Sequence, residues 1–531
     1  MAPARPGQQR GAAAAQAAAR NEKGGPTLIQ TRVKENFYQD SVKLMRIASS
    51  IRNMEGVEEA SVSMATPTNL ELLERIGILT PEAQVASPDD ILIVVRAASE
   101  EQCHAALEAA ETAICGGGER VALEEDGDTF QAPKSLERAL DYMPEANIAL
   151  ISVPGKYAFS LADQALDLGV NPMIFSDNVS VEEERTLKKK AVEKGLIVMG
   201  PDCGTCILDG ACLGFGNQVR RGPIGIVGAA GTGIQELACL IHQSGGGISH
   251  AIGTGGRDLS RDIGGISMLQ GLECLARDES TQVILLLSKP ADPAVADHIL
   301  ERARQVAKPV IVCFLGGKRR PDEGNLQFAD TMDLAADLAL RHTGLTITAP
   351  ESAKTDSIVE GKHIRALYTG GSLAYEALYL FREAGVAPLF SNIHMDGAAE
   401  LADPMRPHDH TVLDLGDDVF TVGRAHPMIN PELRNDMIAA QAAEADTAVL
   451  LLDFVLGYGC HPDPVGAALP ALEKAFALRP DGRLRILAHV CGADSDPQDL
   501  CAQEEKLLRA GVQTFRSNAD MVRAAIRMLH G

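Results

Sequence analysis

The sequence predicts an α/β protein of several domains, the larger part of which is one strand–glycine turn–helix unit used twice. Three observations carry this reading. The chain has 531 residues, too many for a single core, so three to four domains are expected. Short apolar runs such as ILIVVRA, PMIFSD and VILLLS alternate with helix-length amphipathic stretches, as in strands buried between helices. Two segments, starting near Gly222 and His363, then repeat the same order of strand, glycine turn, helix and further strands, an order that unrelated segments rarely share. The expected architecture is a disordered tail (1–26), a ferredoxin-like domain (27–117), a Rossmann-like domain (132–221) and two flavodoxin-like domains (222–346 and 363–531).

Composition narrows the function. Hydrophobic residues at 45% against 23% charged, with 50 glycines, fit packed α/β domains rather than disorder. A net charge of -23 argues against non-specific nucleic-acid binding, which depends on Lys and Arg neutralising phosphates. Anions can still bind where backbone dipoles or placed cations oppose the overall field. With no Trp and 4% aromatics, base- or sugar-stacking platforms are not expected. The 11 cysteines are scattered, the pattern of reduced, buried thiols in a cytoplasmic protein. One pair, Cys203 and Cys206, has C-x-x-C spacing, for which a redox or metal role is the alternative. No apolar run reaches the ~18 residues of a membrane span, so no membrane partner is expected.

In chain order, the Ala-, Gly-, Gln- and Arg-rich start lacks an apolar core and reads as a tail, with a transit peptide as the alternative. TLIQTRV, a helix over 41–53, VEEASVSM, a helix over 69–76, ILIVVRA and a helix over 100–114 form the small ferredoxin-like domain. It carries no visible chemistry and is expected to serve docking or regulation. A turn-rich linker, CGGGERVALEEDGDT, leads to IALISV, PMIFSD and LIVMG, strands of a parallel sheet separated by helices. A dinucleotide- or CoA-binding domain normally opens with a glycine-rich first turn, and none precedes IALISV. The first repeat is GPIGIVGAAGTGIQELACLIHQSGGG, continued by QVILLLSKP and KPVIVCFLGGK. The second is HIRALYTGGSLAYEALYLFREAG, continued by TAVLLLDFV and LRILAHVCG.

A glycine turn entering a helix presents free backbone N–H groups and the positive end of the helix dipole. Gly231, Thr232 and Gly233 therefore form one candidate anion cradle, and Gly370, Gly371 and Ser372 a second. Neither is a Walker A loop, because no lysine follows the last glycine. Many such turns only redirect the chain; the duplication favours function. Turn-rich segments at strand ends add Gly255, Gly256 and Arg257 in GTGGRDLS, and Asp417, Asp418, Arg424 and His426 in GDDVFTVGRAHPMINP. GYGCHPDPVG adds Tyr458, His461 and Asp463 in a loop stiffened by proline. For the two histidines, loop packing is the alternative to an active-site role. His394, His408, His410 and His426 match no metal spacing, so no metal is expected.

GPDCGT, GPIGIVGAAGTGIQE, GTGGRDLS and KPVIVCFLGG occur in the order seen in the α subunit of succinyl-CoA synthetase. The second repeat is similar to the CoA-ligase domain of that enzyme's β subunit. Their fusion behind a small N-terminal domain, with GDDVFTVGRAHPMINP and GYGCHPDPVG, resembles the FdrA family over roughly residues 27–531. The resemblance implies a CoA-binding-type Rossmann domain and two ligase domains. It also marks departures. The synthetase passes phosphate through a histidine in a Gly-His-Ala-Gly loop, where this chain reads KRRPDEG; Lys289 stands where an acidic residue would orient that histidine; and the ATP-grasp domain is absent.

Without a histidine nucleophile the phosphohistidine relay is not expected. The family resemblance implies instead a component of a carbamoyltransferase, interconverting oxalurate plus phosphate with oxamate plus carbamoyl phosphate in allantoin degradation. Phosphate or carbamoyl phosphate would then be a substrate, other subunits of an enzyme complex would be partners, and no cofactor is required. Arg424 would hold the oxamate carboxylate, His426 or His461 would assist proton transfer at nitrogen, and Asp463 would support them. CoA binding with an acyl-CoA ligase activity is one alternative, a non-catalytic scaffold another, and self-association as a homodimer stays open.

Overall fold

A computed structural model describes residues 19–20, 26–34, 37, 39, 41–52, 54, 56–88, 90–115, 133–317, 320–346, 363–421, 424–480 and 482–530. The linker after residue 115 and most of the expected tail lie outside these residues. Two compact units emerge, one of residues 1–130 with Asp418–Ala425, the other of residues 131–417 with 426–531.

In the first unit an antiparallel sheet runs in the order Ala19–Arg20, Pro26–Lys34, Ile91–Ala97, Val57–Met64. Its three long strands follow the first–third–second order of a ferredoxin-like sandwich. Strand pairing thus reaches back to Ala19 and Arg20, inside the segment expected to be a tail. Ile91–Val95 are buried on both faces, which explains the unbroken apolar run. Helices Ser41–Arg52 and Glu100–Cys115 supply Leu44, Ile51, Ala106 and Leu107 to one core, while Leu73, Ile78 and Ala83 line the other side. Thr66 and Thr80 cap the two short helices between the strands, each followed by a proline in the first turn.

The second unit begins with a small parallel sheet, Ile148–Ile151 beside Asn171–Ile174, extended by a bridge from Met173 to Met199. LIVMG, expected as a third strand, supplies that single bridge. Full cover on both faces is not reached either, since Leu150 is 52% exposed. The helix Val181–Lys194 starts with a capping box of Ser180 and Glu183 and stops at Gly195 in the left-handed region.

Two seven-stranded sheets follow. The first runs Leu326–Phe328, Val310–Phe314, Val283–Ser288, Arg221–Ala229, Ile248–Gly253, Thr205–Leu208, Ala211–Gly214. The second runs Ala399–Glu400, Leu389–Ser391, His410–Asp414, His363–Tyr368, Thr447–Val455, Arg485–Cys491, Gln513–Phe515. In each copy the strand leading to the glycine turn is central, with parallel neighbours on both sides. They differ on one side of that strand, where the outer pair Thr205–Leu208 and Ala211–Gly214 is antiparallel in the first copy while Leu389–Ser391 and Ala399–Glu400 are parallel in the second. Leu389–Ser391, the next strand in sequence, is displaced from the central strand by His410–Asp414, so the carboxyl end of that strand arrives beside the second glycine turn. One continuous apolar core joins the copies, from Ile234 and Leu237 to Leu373, Leu378 and Val522.

Candidate active site between the two copies

The helices Gly231–Gln243 and Gly371–Glu383 each start where a central strand ends, as an open parallel sheet requires of its ligand-binding edge. Their starts meet: the Ser372 N–H donates to Thr232 Oγ1 at 3.2 Å. They are not equivalent. Neither has a side-chain cap, and at the first start the backbone donors of Gly231, Thr232 and Gly233 are left available to a ligand. At the second, the fully buried carboxylate of Asp453 accepts from the N–H groups of Thr369 and Gly370, both at 2.7 Å. Burial raises the Asp453 pKa while Arg434, 3.6 Å away, and those N–H donors oppose the shift. In the expected cradle of Gly370, Gly371 and Ser372, the Gly370 N–H is engaged by the Asp453 carboxylate and the Ser372 N–H by the Thr232 hydroxyl.

Gly371 has a different neighbourhood. A Cβ there would lie 2.4 Å from Asp414 Oδ2 and 3.2 Å from Lys289 Nζ. Asp414 ends the intervening strand and is 8% exposed; Lys289 follows the strand Val283–Ser288 of the first copy. Asp414 Oδ1 accepts from the Gly416 N–H at 2.9 Å. A Cβ on Gly416 would in turn lie 2.5 Å from His426 Nε2 and 3.2 Å from Asp414 Oδ1. The two glycines thus clear the space that lets Lys289, Asp414 and His426 converge. Burial pushes the Asp414 pKa up to about 6, against the nearby Lys289 ammonium. Burial pushes His426 down to about 4, so its imidazole is neutral at pH 7. Its Nδ1 accepts from the Met428 N–H at 3.2 Å, which puts the proton of the neutral ring on Nε2, toward the group.

The remaining candidates have structural occupations. His461 Nδ1 accepts from the Asp463 N–H at 3.0 Å, and the His461 backbone N–H donates to the Met428 carbonyl; ring and backbone together brace the loop. Asp463 caps the helix Pro464–Leu478 through the Gly466 N–H and pairs with Lys506 at 2.6 Å. Tyr458 pairs through its backbone with Gly216. Arg257 donates to the Val179 carbonyl at 2.7 Å and pairs with Glu184 at 3.1 Å. Gly255, at φ +87°, sits against the backbone of Pro201, and Gly256 against Asp202. GTGGRDLS is thereby a clasp between the first ligase-like sheet and the preceding helices, reinforced by the buried Lys188–Asp258 pair at 2.7 Å. Asp417 is exposed beside the group, whereas Asp418 and Arg424 fall in the first unit. Cys203 and Cys206 are free thiols with sulfurs 3.4 Å apart. Among the described residues no group of three or more His, Cys, Asp or Glu could hold a metal ion, and no helix is long and apolar enough to cross a membrane.

Sequence reasoning missed Asp414, Asp453 and a cross-copy polar network. Glu236 pairs with His489 of the other copy at 2.7 Å, both nearly inaccessible. Glu376 accepts from the Met332 N–H of the first copy at 2.7 Å and from Asn518 at 2.8 Å. The glutamates hold the sixth position of their helices, an equivalence visible once GTGIQE and GSLAYE are aligned.

The sequence offers no glycine-rich first turn for a CoA pyrophosphate in the Rossmann-like segment. At the first helix start after Ile148–Ile151, a Cβ on Gly155 would lie 2.2 Å from the Asp177 carbonyl and 2.5 Å from that of Asn178. Protein backbone, not an open cradle, faces that turn.

Two α/β copies joined at facing helix starts define a succinyl-CoA synthetase-like protein with an enzyme-type ligase fold. Three family models match along the chain: "AllF, heavy metal-associated domain" over residues 27–127, "CoA binding domain" over 219–316, which falls on the segment read from the sequence as the first ligase domain and not on 132–221, and "CoA-ligase" over 367–528. The protein YahF of Escherichia coli (strain K12) is 44% identical over 90% of this chain and 94% of its own length. The malate–CoA ligase subunit alpha of Methylorubrum extorquens is 28% identical over 42% of this chain and 78% of its own. The succinate–CoA ligase [ADP-forming] subunit alpha of Aquifex aeolicus is 28% identical over 34% and 61%. The chain belongs to the FdrA family, the fusion of these domains.

Proposed function

We propose that this chain is a component of a carbamoyltransferase that interconverts oxalurate and phosphate with oxamate and carbamoyl phosphate, without a phosphoenzyme. The observation that supports it most is the pairing of one uncapped helix start, Gly231–Gly233, with the convergent group Lys289, Asp414 and His426. The first suits a phosphate; the second suits a small polar acceptor. The loop after Val310–Phe314 carries no histidine, so direct transfer between bound substrates is the chemistry left, and it depends on positioning and charge stabilisation. The neutral His426 donates from Nε2 to an oxygen that gains charge as the carbonyl is attacked. The N-terminal domain serves docking to the other subunits of the complex.

CoA-ligase chemistry is the second reading, favoured by the CoA-ligase relatives and the matched family models. The experiment is to incubate the full chain, alone and with its partner subunits, with oxalurate and phosphate and to measure carbamoyl phosphate. In parallel, labelled ATP tests for an acid-labile phosphoprotein. Carbamoyl phosphate without protein labelling supports the proposal. A labelled histidine, or thioester formation by the chain, overturns it.

A further inference from the structure

We propose that Lys289 and Asp414 form the acceptor subsite of this centre, selecting a small carboxylate that carries an adjacent amide. Lys289 Nζ would hold the carboxylate and Asp414 would accept from the amide N–H. The inference rests on the proposed reaction in naming oxamate as the natural acceptor and in the proton transfer given to Asp414.

The argument begins with what the two side chains lack. Among the described residues Lys289 makes no hydrogen bond or ion pair, and Asp414 Oδ2 accepts no hydrogen bond, although its Oδ1 is bonded to Gly416 N–H. They do not pair with each other. Yet both stand over Gly371, so that a Cβ there would sit between Oδ2 at 2.4 Å and Nζ at 3.2 Å. Neither Gly371 nor Gly416 has a positive φ, so the demand is for space and not for an unusual backbone. A carboxyl oxygen without a protein donor, on a residue 8% exposed, beside a half-buried ammonium without a protein acceptor, suits a ligand that supplies both. A dicarboxylate would set one anion against Asp414; a simple amide would leave Lys289 empty. An amide with a neighbouring carboxylate satisfies both ends.

The same geometry gives Asp414 a catalytic role. The amide nitrogen forms the new C–N bond to the carbamoyl carbon, the C–O bond to phosphate breaks with its electron pair leaving on phosphate, and the amide proton passes to the Asp414 carboxylate. The charges facing Asp414 are Lys289, which favours the ionised form, and Asp417 and Asp453, which oppose it; His426, beside Oδ1, is neutral.

Calorimetric titration of the full chain with oxamate, oxalate and acetamide tests the selection, with far-UV circular dichroism and melting confirming the fold of each variant. Lys289→Met and Gly371→Ala should each weaken oxamate at least tenfold, and Lys289→Arg should recover part of the loss. Asp414→Asn should bind oxalate about tenfold tighter than the wild type does, and in the complete complex should lose kcat rather than raise KM. Unchanged oxamate affinity in both folded variants, or no oxamate binding by the wild type, overturns the inference. Lys289-dependent oxamate binding without oxalurate turnover would keep the subsite and reject the reaction.

Discussion

Asp453 offers a sharp test of how the second helix start is held. It accepts two backbone N–H bonds at 2.7 Å and stands 3.6 Å from the guanidinium of Arg434, which is 2% exposed, as Asp453 is 0%. Asp453→Ala removes two charge-assisted bonds, each worth about 1.5–3 kcal/mol. It also leaves a buried cation without its partner, a loss of about 3–5 kcal/mol. These losses overlap, because the same carboxylate serves all of its partners. The expected destabilisation is therefore about 3–5 kcal/mol rather than their total. Urea unfolding at pH 7 should show a midpoint lowered by roughly 1 M or more, with little change in slope. Asp453→Asn combined with Arg434→Met keeps one acceptor and removes the stranded charge, so it should recover at least half of the loss. An Asp453→Ala protein within about 1 kcal/mol of wild type, or a double variant no better than the single one, would refute this account.

Other outcomes follow from the same physics. Burial raises Glu376 to about 8, and the Glu236 pairing raises His489 to about 9. A raised carboxyl destabilises as it ionises, between about 4.5 and 8, and a raised histidine loses its contribution between about 6.5 and 9. Stability should thus fall as pH rises from 6.5 to 9, by at most about 1.4 kcal/mol per pH unit per group. Glu376→Gln should flatten the melting profile between pH 5 and 8; an unchanged profile counts against the assignment. Glu236→Gln removes the anion facing the buried His489 but keeps an acceptor, and should cost about 1.5–3 kcal/mol in denaturant titrations. Arg257→Ala should leave oxamate and phosphate affinities unchanged while costing about 1 kcal/mol, whereas a large loss of affinity would restore GTGGRDLS to the site. Asp463→Ala should cost about 1 kcal/mol as a lost cap and leave turnover largely intact.

The duplicated strand–turn–helix order, the ferredoxin-like start and the family resemblance were legible because they reside in local pattern. Periodicity reports which face is buried, and glycines report where a chain turns into a helix. His426 was legible as a polar residue in a turn-rich strand end. Asp414 was not, because it closes an ordinary apolar strand, HTVLD, and becomes a candidate site residue only through the sheet position of that strand. GTGGRDLS shows the opposite limit. Its glycines and charges have the pattern of a ligand loop and also clasp neighbouring helices, which no single-segment pattern reports.

By itself, then, the sequence determined the fold class, the two glycine turns and the lack of a histidine in the segment after Val310–Phe314, since each depends on residues adjacent in the chain. Tertiary structure alone decided that the two helix starts differ. Asp453, more than eighty residues beyond Gly370, fills the second with an internal carboxylate. It also decided that a strand inserted beside the central one brings Asp414 to Lys289 of the other copy. Hydrogen-bond partners and buried charges are chosen by distance in space, and only the folded chain sets that distance.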